Sequence, residues 1–588
     1  MTVQTRHSLI RLAPAVGLLI AASMGLPLSA GAAVARDGVA LSTPVEVGES
    51  QSGNYLAALV AGADRDTPAA AAYFREALRA DPRNPELIER AFAAALANGN
   101  MGDAIQLSDR LLTRDANNSL AHLTLAVRSI ADGQYAAGRM QLALGDAGRA
   151  HDVTTTLLSA WTFAGLNDSH DALATLDRIR DPSFAVFRDY HAGLIADLTG
   201  NSAEALKRLK AAYDAEKNTL RLADAYARYL ARHGDRDGAR KVYEDFAHVL
   251  PHHPVVDGAL ADLAAGRPLD PVIRNAKDGA AEVLYGLGGA GSKQGDELAA
   301  LIYLRLSLYL RPDHALAAVT VADLYDQLKQ NQAAIDAYEL VPVASPMRTS
   351  ANIQAGLSLD ALGRSDEAVK RLQDIVNANP SDVDALSALG SLQRSAKKFA
   401  DAAETYTKAI DLLPKPERAN WTLFYFRAIC FERTKQWPKA EADFKKALEL
   451  FPNQPLVLNY LGYSWVDQGV NLDEAFKMLR QAVDLRPTDG YVVDSLGWAD
   501  FKLGHYDDAT RELEKAIELK PADPVVNDHL GDAYWRTGRK LDAHFQWNHA
   551  RDMGPEPEDL PAILKKIDNG LPDEAPAAAQ SEPKKDGG

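Results

Sequence analysis

Small and large apolar residues recur along this chain at fixed intervals, without the strict alternation expected of strands. In residues 399–414 (FADAAETYTKAIDLLP), 437–452 (WPKAEADFKKALELFP) and 506–521 (YDDATRELEKAIELKP), a small residue is followed by a large apolar one four later. Alanine comes three after that, and proline five beyond. Steps of four and seven fall on one face of a helix. Alanine on that face lets a neighbouring helix come close, and proline ends the helix because it cannot donate the next backbone bond. The first alanines of five such blocks are Ala402, Ala440, Ala475, Ala509 and Ala543. Twelve residues before four of them stand Gly390, Ala428, Gly497 and Gly531, with Gly462 one residue further back before Ala475. Each unit is therefore predicted to be two antiparallel helices.

The same frame continues upstream through Ala368, Ala334 and Ala300, and beyond a break through Ala239, Ala205, Ala172, Gly138, Ala104 and Ala70. This pattern resembles the tetratricopeptide repeat. The resemblance implies an all-α, right-handed superhelix, an α-solenoid of about fourteen helix-pair repeats. The break between Ala239 and Ala300 holds Pro251, Pro254, Gly266, Pro268 and Pro271, and is read as an irregular hinge between two lobes. The expected organisation is a signal peptide over 1–32, a flexible segment over 33–52 and an N-terminal lobe of degenerate repeats over 53–251. The hinge follows over 252–290, then a C-terminal lobe over 291–556, a capping helix over 557–571 and a disordered tail over 572–588. Leu560, Ile563, Leu564 and Ile567 give the capping helix its apolar face.

Charge and processing signals narrow the setting. The chain has 588 residues, a formal net charge of −16 and one cysteine, Cys430. A nucleic-acid partner is not expected, because neutralising phosphates needs a positive footprint. A disulfide framework or a multi-cysteine metal site is excluded by the cysteine count. Arg6 and Arg11, the apolar run 12–28, and Ala30 and Ala32 form a signal-peptide pattern with cleavage after Ala32. The run is short for a bilayer, which takes about 20 apolar residues. The mature chain is expected in the periplasm or peripheral to the outer membrane, with no membrane span.

Chemistry is sparse. Residues 286–295 (GLGGAGSKQG) lack the Gly-Lys-Ser/Thr order of a phosphate-binding loop and are read as a long turn inside one helix pair. His252 and His253 are placed in a surface turn, without partners at metal-ligand spacing. Cys430 lies in an apolar run and is read as a buried structural thiol. No catalytic residue, cofactor or metal ligand is assigned, and an enzyme is not expected.

Function is expected on the first helix of each pair, taken to line the inner wall of the stack. A stripe beginning one residue after the small position gives Tyr425 and Ile429, then Asn459 and Tyr463. It continues with Tyr491, Asp494 and Trp498, then Asp528, Asp532 and Trp535. Aromatic rings among Asn and Asp suit a peptide or protein ligand. Phe424, Trp465, Tyr534, Tyr406, Phe444 and Trp547 fall on pattern positions and are assigned to the core.

Residues 461–547, including LGYSWVDQGVNLDEAFKMLRQAVDLRPTD, DSLGWADFKLGHYDDA and HLGDAYWRTGRKLDAHFQW, are similar to the C-terminal repeats of LbcA-type envelope adaptor lipoproteins of carboxyl-terminal processing proteases. That resemblance implies a non-catalytic scaffold that holds a periplasmic protease and presents cell-wall hydrolases to it. The family's lipid-attachment cysteine has no counterpart after the signal segment. The alternative expectation is an assembly scaffold for polysaccharide export, pilus or secretion machinery.

Overall fold

The computed structural model describes residues 47–48, 50–145 and 152–572, apart from the side chains of 293 and 294. The signal segment and nearly all of the 572–588 tail lie outside the described residues. So does most of the 33–52 segment, but its last residues are ordered. The first helix, Gln51–Ala63, is capped by Ser50, and the Asn54 amide bonds the backbone of Gly48 in both directions.

All regular elements among the described residues are helices. They form fourteen antiparallel pairs plus two single helices, Pro254–Ala264 and Leu560–Asn569. The predicted frame marks the closest contacts. Ala402, Ala440, Ala475, Ala509 and Ala543 have no solvent exposure, nor do Ala368, Ala334, Ala300, Ala239, Ala205, Ala172 and Ala104 in the earlier pairs. Phe424, Trp465, Tyr534, Tyr406, Phe444 and Trp547 are buried as assigned. Local capping starts the helices: Asp523 accepts from the amides of Val525 and Val526 at 2.9 and 3.1 Å, with Pro524 at the first helical position. Gly531 permits the tight approach within the last pair, because a Cβ there would overlap the Trp547 indole.

The chain divides into two compact units, one ending at Ala378 and the other starting at Asn379. The expected hinge over 252–290 is therefore corrected. It lies wholly inside the first unit and is mostly helical, as Pro254–Ala264 followed by the start of Ala276–Gln294. The 286–295 segment belongs to this second helix up to Gln294, so it is not a turn. His253 is not a surface residue either: it is buried, and its Nδ1 accepts from the amide of Val255 as a helix cap. His252 is exposed beside it.

The reason the boundary moved is a helical hairpin, Ala276–Gln294 with Glu297–Leu310. It packs against the first helices of earlier pairs, Pro85–Asn98, Ser119–Ala131, Val153–Gly165 and Ala185–Leu198. Ala280, Ala281, Val283, Leu284, Leu301, Leu304 and Leu306 are all wholly buried, as expected of a helix pair apolar on nearly every side. Glycines make the fit. A Cβ on Gly279 would enter the Trp161 ring, and one on Gly286 would meet Phe187 at 2.8 Å. Polar ties continue past the hairpin: Tyr325 shares a 2.7 Å bond with Thr67, and the Gln330 amide donates to the carbonyl of Asp64. Residues 291–378, assigned from sequence to the C-terminal lobe, thus belong to the first unit.

One charge in the hairpin is fully enclosed. Glu282 accepts from Tyr190 Oη at 2.8 Å and from Arg221 at 2.8 and 2.6 Å, and His314 Nε2 lies 3.3 Å away. Burial alone would raise this carboxyl, but Arg221 and His314 outweigh it and hold the pKa well below the ordinary value. The inner face of the first unit is thereby occupied by its own chain.

Candidate functional site

The second unit consists of five helix pairs and the terminal helix Leu560–Asn569. The predicted stripe lies along the first helices Trp421–Arg433, Pro455–Gln468, Gly490–Lys502 and Pro524–Arg536. Its side chains form the seam where one first helix meets the next, which corrects the expectation of an open inner wall. Tyr425 is 7% exposed and meets Tyr460 of the next pair edge-on at 6.1 Å; Ile429 is buried in the same core cluster. Asp494 is buried and holds His529 of the next pair at 3.0 Å. Burial works against a charge on His529, but Asp494 prevails and raises its pKa above the ordinary value. In both cases a residue pairs with another 35 positions on.

Six further stripe residues are half-buried: Asn459, Tyr463, Tyr491, Trp498, Asp528 and Trp535. Trp498 stacks on His529 with centroids 3.9 Å apart and lies parallel to Phe501 at 4.9 Å. Tyr463 joins the core cluster at its edge, and burial raises its hydroxyl pKa, with Asp494 adding to the effect. Lys520 sits over the Tyr491 ring at 4.7 Å. The Oδ1 atoms of Asn459 and Asp528 and the indole nitrogen of Trp498 are buried without a hydrogen-bond partner.

At the last pair the seam is completed by the terminal helix. Asp528 and Asp532, one turn apart on one face, both accept from Lys566 Nζ, at 2.7 and 2.8 Å. Asp532 is 3% exposed and its other oxygen accepts from Trp547 Nε1 at 2.9 Å. Burial raises the Asp532 pKa although Lys566 opposes it, and crowding by Asp528 adds to the rise. Ile563 enters the last core cluster, and Gly570 lies flat against the Trp535 ring. The apolar face of the terminal helix predicts its capping role but leaves Lys566 unmarked. The available signal was Asp528 and Asp532 four residues apart, which needed a cation.

Cys430 is fully buried, and burial pushes its thiol pKa up to about 12. Among the described residues no three His, Cys, Asp or Glu side chains gather as a metal site would require. No described helix is long and apolar enough to cross a membrane.

A family model described as tetratricopeptide repeat matches residues 55–119, 353–415 and 495–550. These three segments carry tetratricopeptide repeats. Over 183 residues it is 28% identical to a TPR repeat-containing protein of Pseudomonas aeruginosa, covering 31% of this chain and 30% of that protein. Over 114 residues it is 33% identical to the E3 ubiquitin-protein ligase CHIP of Arabidopsis thaliana, covering 19% of this chain and 38% of that one. The chain thus spans less than half the length of either curated relative. Among solved structures, the APC/C hetero-tetramer Cut9–Hcn1 aligns over 88% of this chain and 96% of its own, at 14% identity and a TM-score of 0.38. Tetratricopeptide repeats bind other proteins or peptides, and in this protein their seam residues are the candidate contact surface.

Proposed function

We propose that the protein is a non-catalytic periplasmic scaffold, an adaptor that presents envelope proteins to a carboxyl-terminal processing protease. The observation carrying this reading is the half-buried seam of the second unit, where Tyr463, Trp498 and Trp535 stand among Asn459 and Asp528. The similarity of residues 461–547 to adaptor lipoproteins and the signal pattern over 1–32 support the partner class and the compartment. A repeat array offers many modest contacts over a long surface. Holding enzyme and substrate together raises their mutual effective concentration without any chemistry by the scaffold.

The test is affinity capture from the envelope fraction with the full-length chain, followed by mass spectrometry. The expected result is recovery of a periplasmic protease together with a cell-wall hydrolase. Recovery of neither would contradict the proposal. For the captured partner, Tyr463→Ala is expected to weaken binding by about 2 kcal/mol, the scale of an interface hot spot.

A further inference from the structure

The terminal helix is a ligand-like element bound at the end of the seam. One pair earlier, Asp494 of one first helix is matched by His529 of the next. At the last pair that place is taken by Lys566, reached through the chain-reversing residues Gly554 and Asp559 and followed by Gly570, with Gly554 and Gly570 both at positive φ. The hold is slight for a helix. Ile563 is its only fully buried residue and Ile567 packs at the edge of the same cluster, while Leu564 is 40% exposed. The site also remains acidic when filled. Lys566 neutralises one charge, whereas Asp528 lies close enough to raise both Asp532 and Asp559. Asp528 keeps one buried oxygen unpartnered, and further along the stripe the Oδ1 of Asn459 and the indole N–H of Trp498 are unpartnered too.

We propose that the Asp528–Asp532–Trp535 site is a docking site for a lysine-bearing amphipathic helix of a partner protein, and that Leu560–Asn569 is its displaceable internal occupant. The proposal rests on reading the seam as an interaction surface, and it adds the chemistry of the partner. The ligand presents an ammonium to the two aspartates, an apolar side chain three residues before it in the place of Ile563, and a small residue four after it against the Trp535 ring. The unpartnered acceptor of Asp528 favours a second donor on the ligand. Tethering supplies the occupant at an effective concentration on the millimolar scale, so a partner competes only when it satisfies more of the seam than Lys566 does.

The probe is a fluorescein-labelled peptide of residues 557–572, titrated by anisotropy into the full-length chain and into its Lys566→Glu variant. This substitution repels the resident helix from the aspartates and leaves the five pairs intact. The expected result is at least tenfold tighter binding to Lys566→Glu than to the unaltered chain. That binding should fall at least tenfold when Asp528→Asn is added, and should weaken with rising salt. Equal binding to both chains would overturn the proposal. Circular dichroism guards against misfolding: loss of much more helix than the ten residues of Leu560–Asn569 would show the helix to be a structural cap, and would also overturn it. A milder variant, Lys566→Gln, is expected to give an intermediate affinity with unchanged helix content. An envelope capture that yields no protease would bear on the adaptor proposal alone, because the peptide titration uses no envelope partner.

Discussion

Glu282 is 2% exposed and binds Tyr190 and Arg221 from two different helices and His314 at the cap of a third. Removing its charge leaves the half-buried Arg221 with the longer 3.4 Å contact to Asp224 as its remaining ion pair. Glu282→Gln is therefore expected to destabilise the first unit by about 3 kcal/mol, read from the midpoint of urea unfolding. His191 nearby has no exposure and accepts a 3.2 Å bond from the Trp161 indole on Nδ1. Burial lowers its pKa from the ordinary 6.5 to about 4, with Glu282 opposing. A depressed histidine stabilises the fold fully above 6.5, and that contribution is lost as pH falls toward 4. Between pH 7 and pH 5 the loss from this group is about 2 kcal/mol. His191→Phe is expected to flatten the pH dependence of unfolding by that amount; an unchanged slope would show that the imidazole is not held neutral. Cys430 gives a third reading at this scale. Its buried thiol should resist a thiol-reactive chromophore in the folded protein and react at once in denaturant.

Among elements, the 276–310 hairpin carries the sharpest contrast. Gly279 and Gly289 lie on the same helix, yet a Cβ at Gly279 would enter the Trp161 ring while one at Gly289 meets nothing within 4 Å. Gly279→Ala should cost about 2 kcal/mol through overpacking. Gly289→Ala should stabilise by about 0.5–1 kcal/mol, since alanine is the better helix former. Thermal melts of the two variants give shifts of opposite sign if the hairpin is seated as described. This helix also marks the limit of what the sequence discloses. Its glycines read as a turn because glycine is ordinarily costly inside a helix. Phe187, far upstream, explains the small residue at Gly286, and Leu304 of the paired helix explains the one at Gly288. The alanine frame of the repeats was legible because it records contacts within one pair and with its immediate neighbours, close in sequence. The hairpin and Lys566 satisfy partners that no local period encodes.

At the scale of the molecule, repetition fixed the fold class and roughly the number of pairs, since each pair buries its face only against its neighbours. The inner faces were a different matter. A periodic stripe locates a side of the stack, but in the second unit Tyr425 and Asp494 close the seam between first helices, and Asp532 closes it against the terminal helix. In the first unit the corresponding side is covered by the chain's own hairpin. Part of the predicted contact surface is thus internal structure, and Asn459, Tyr463, Tyr491, Trp498, Asp528 and Trp535 remain within reach of a partner. Hydrogen exchange on the intact chain tests this arrangement most directly, because protection follows burial of hydrogen-bonded backbone. The amides of Glu297–Leu310 are expected to be among the slowest in the first unit, far slower than those of the end helix Gln51–Ala63. Exchange of Glu297–Leu310 as rapid as that of Gln51–Ala63 would contradict a hairpin seated against the first helices.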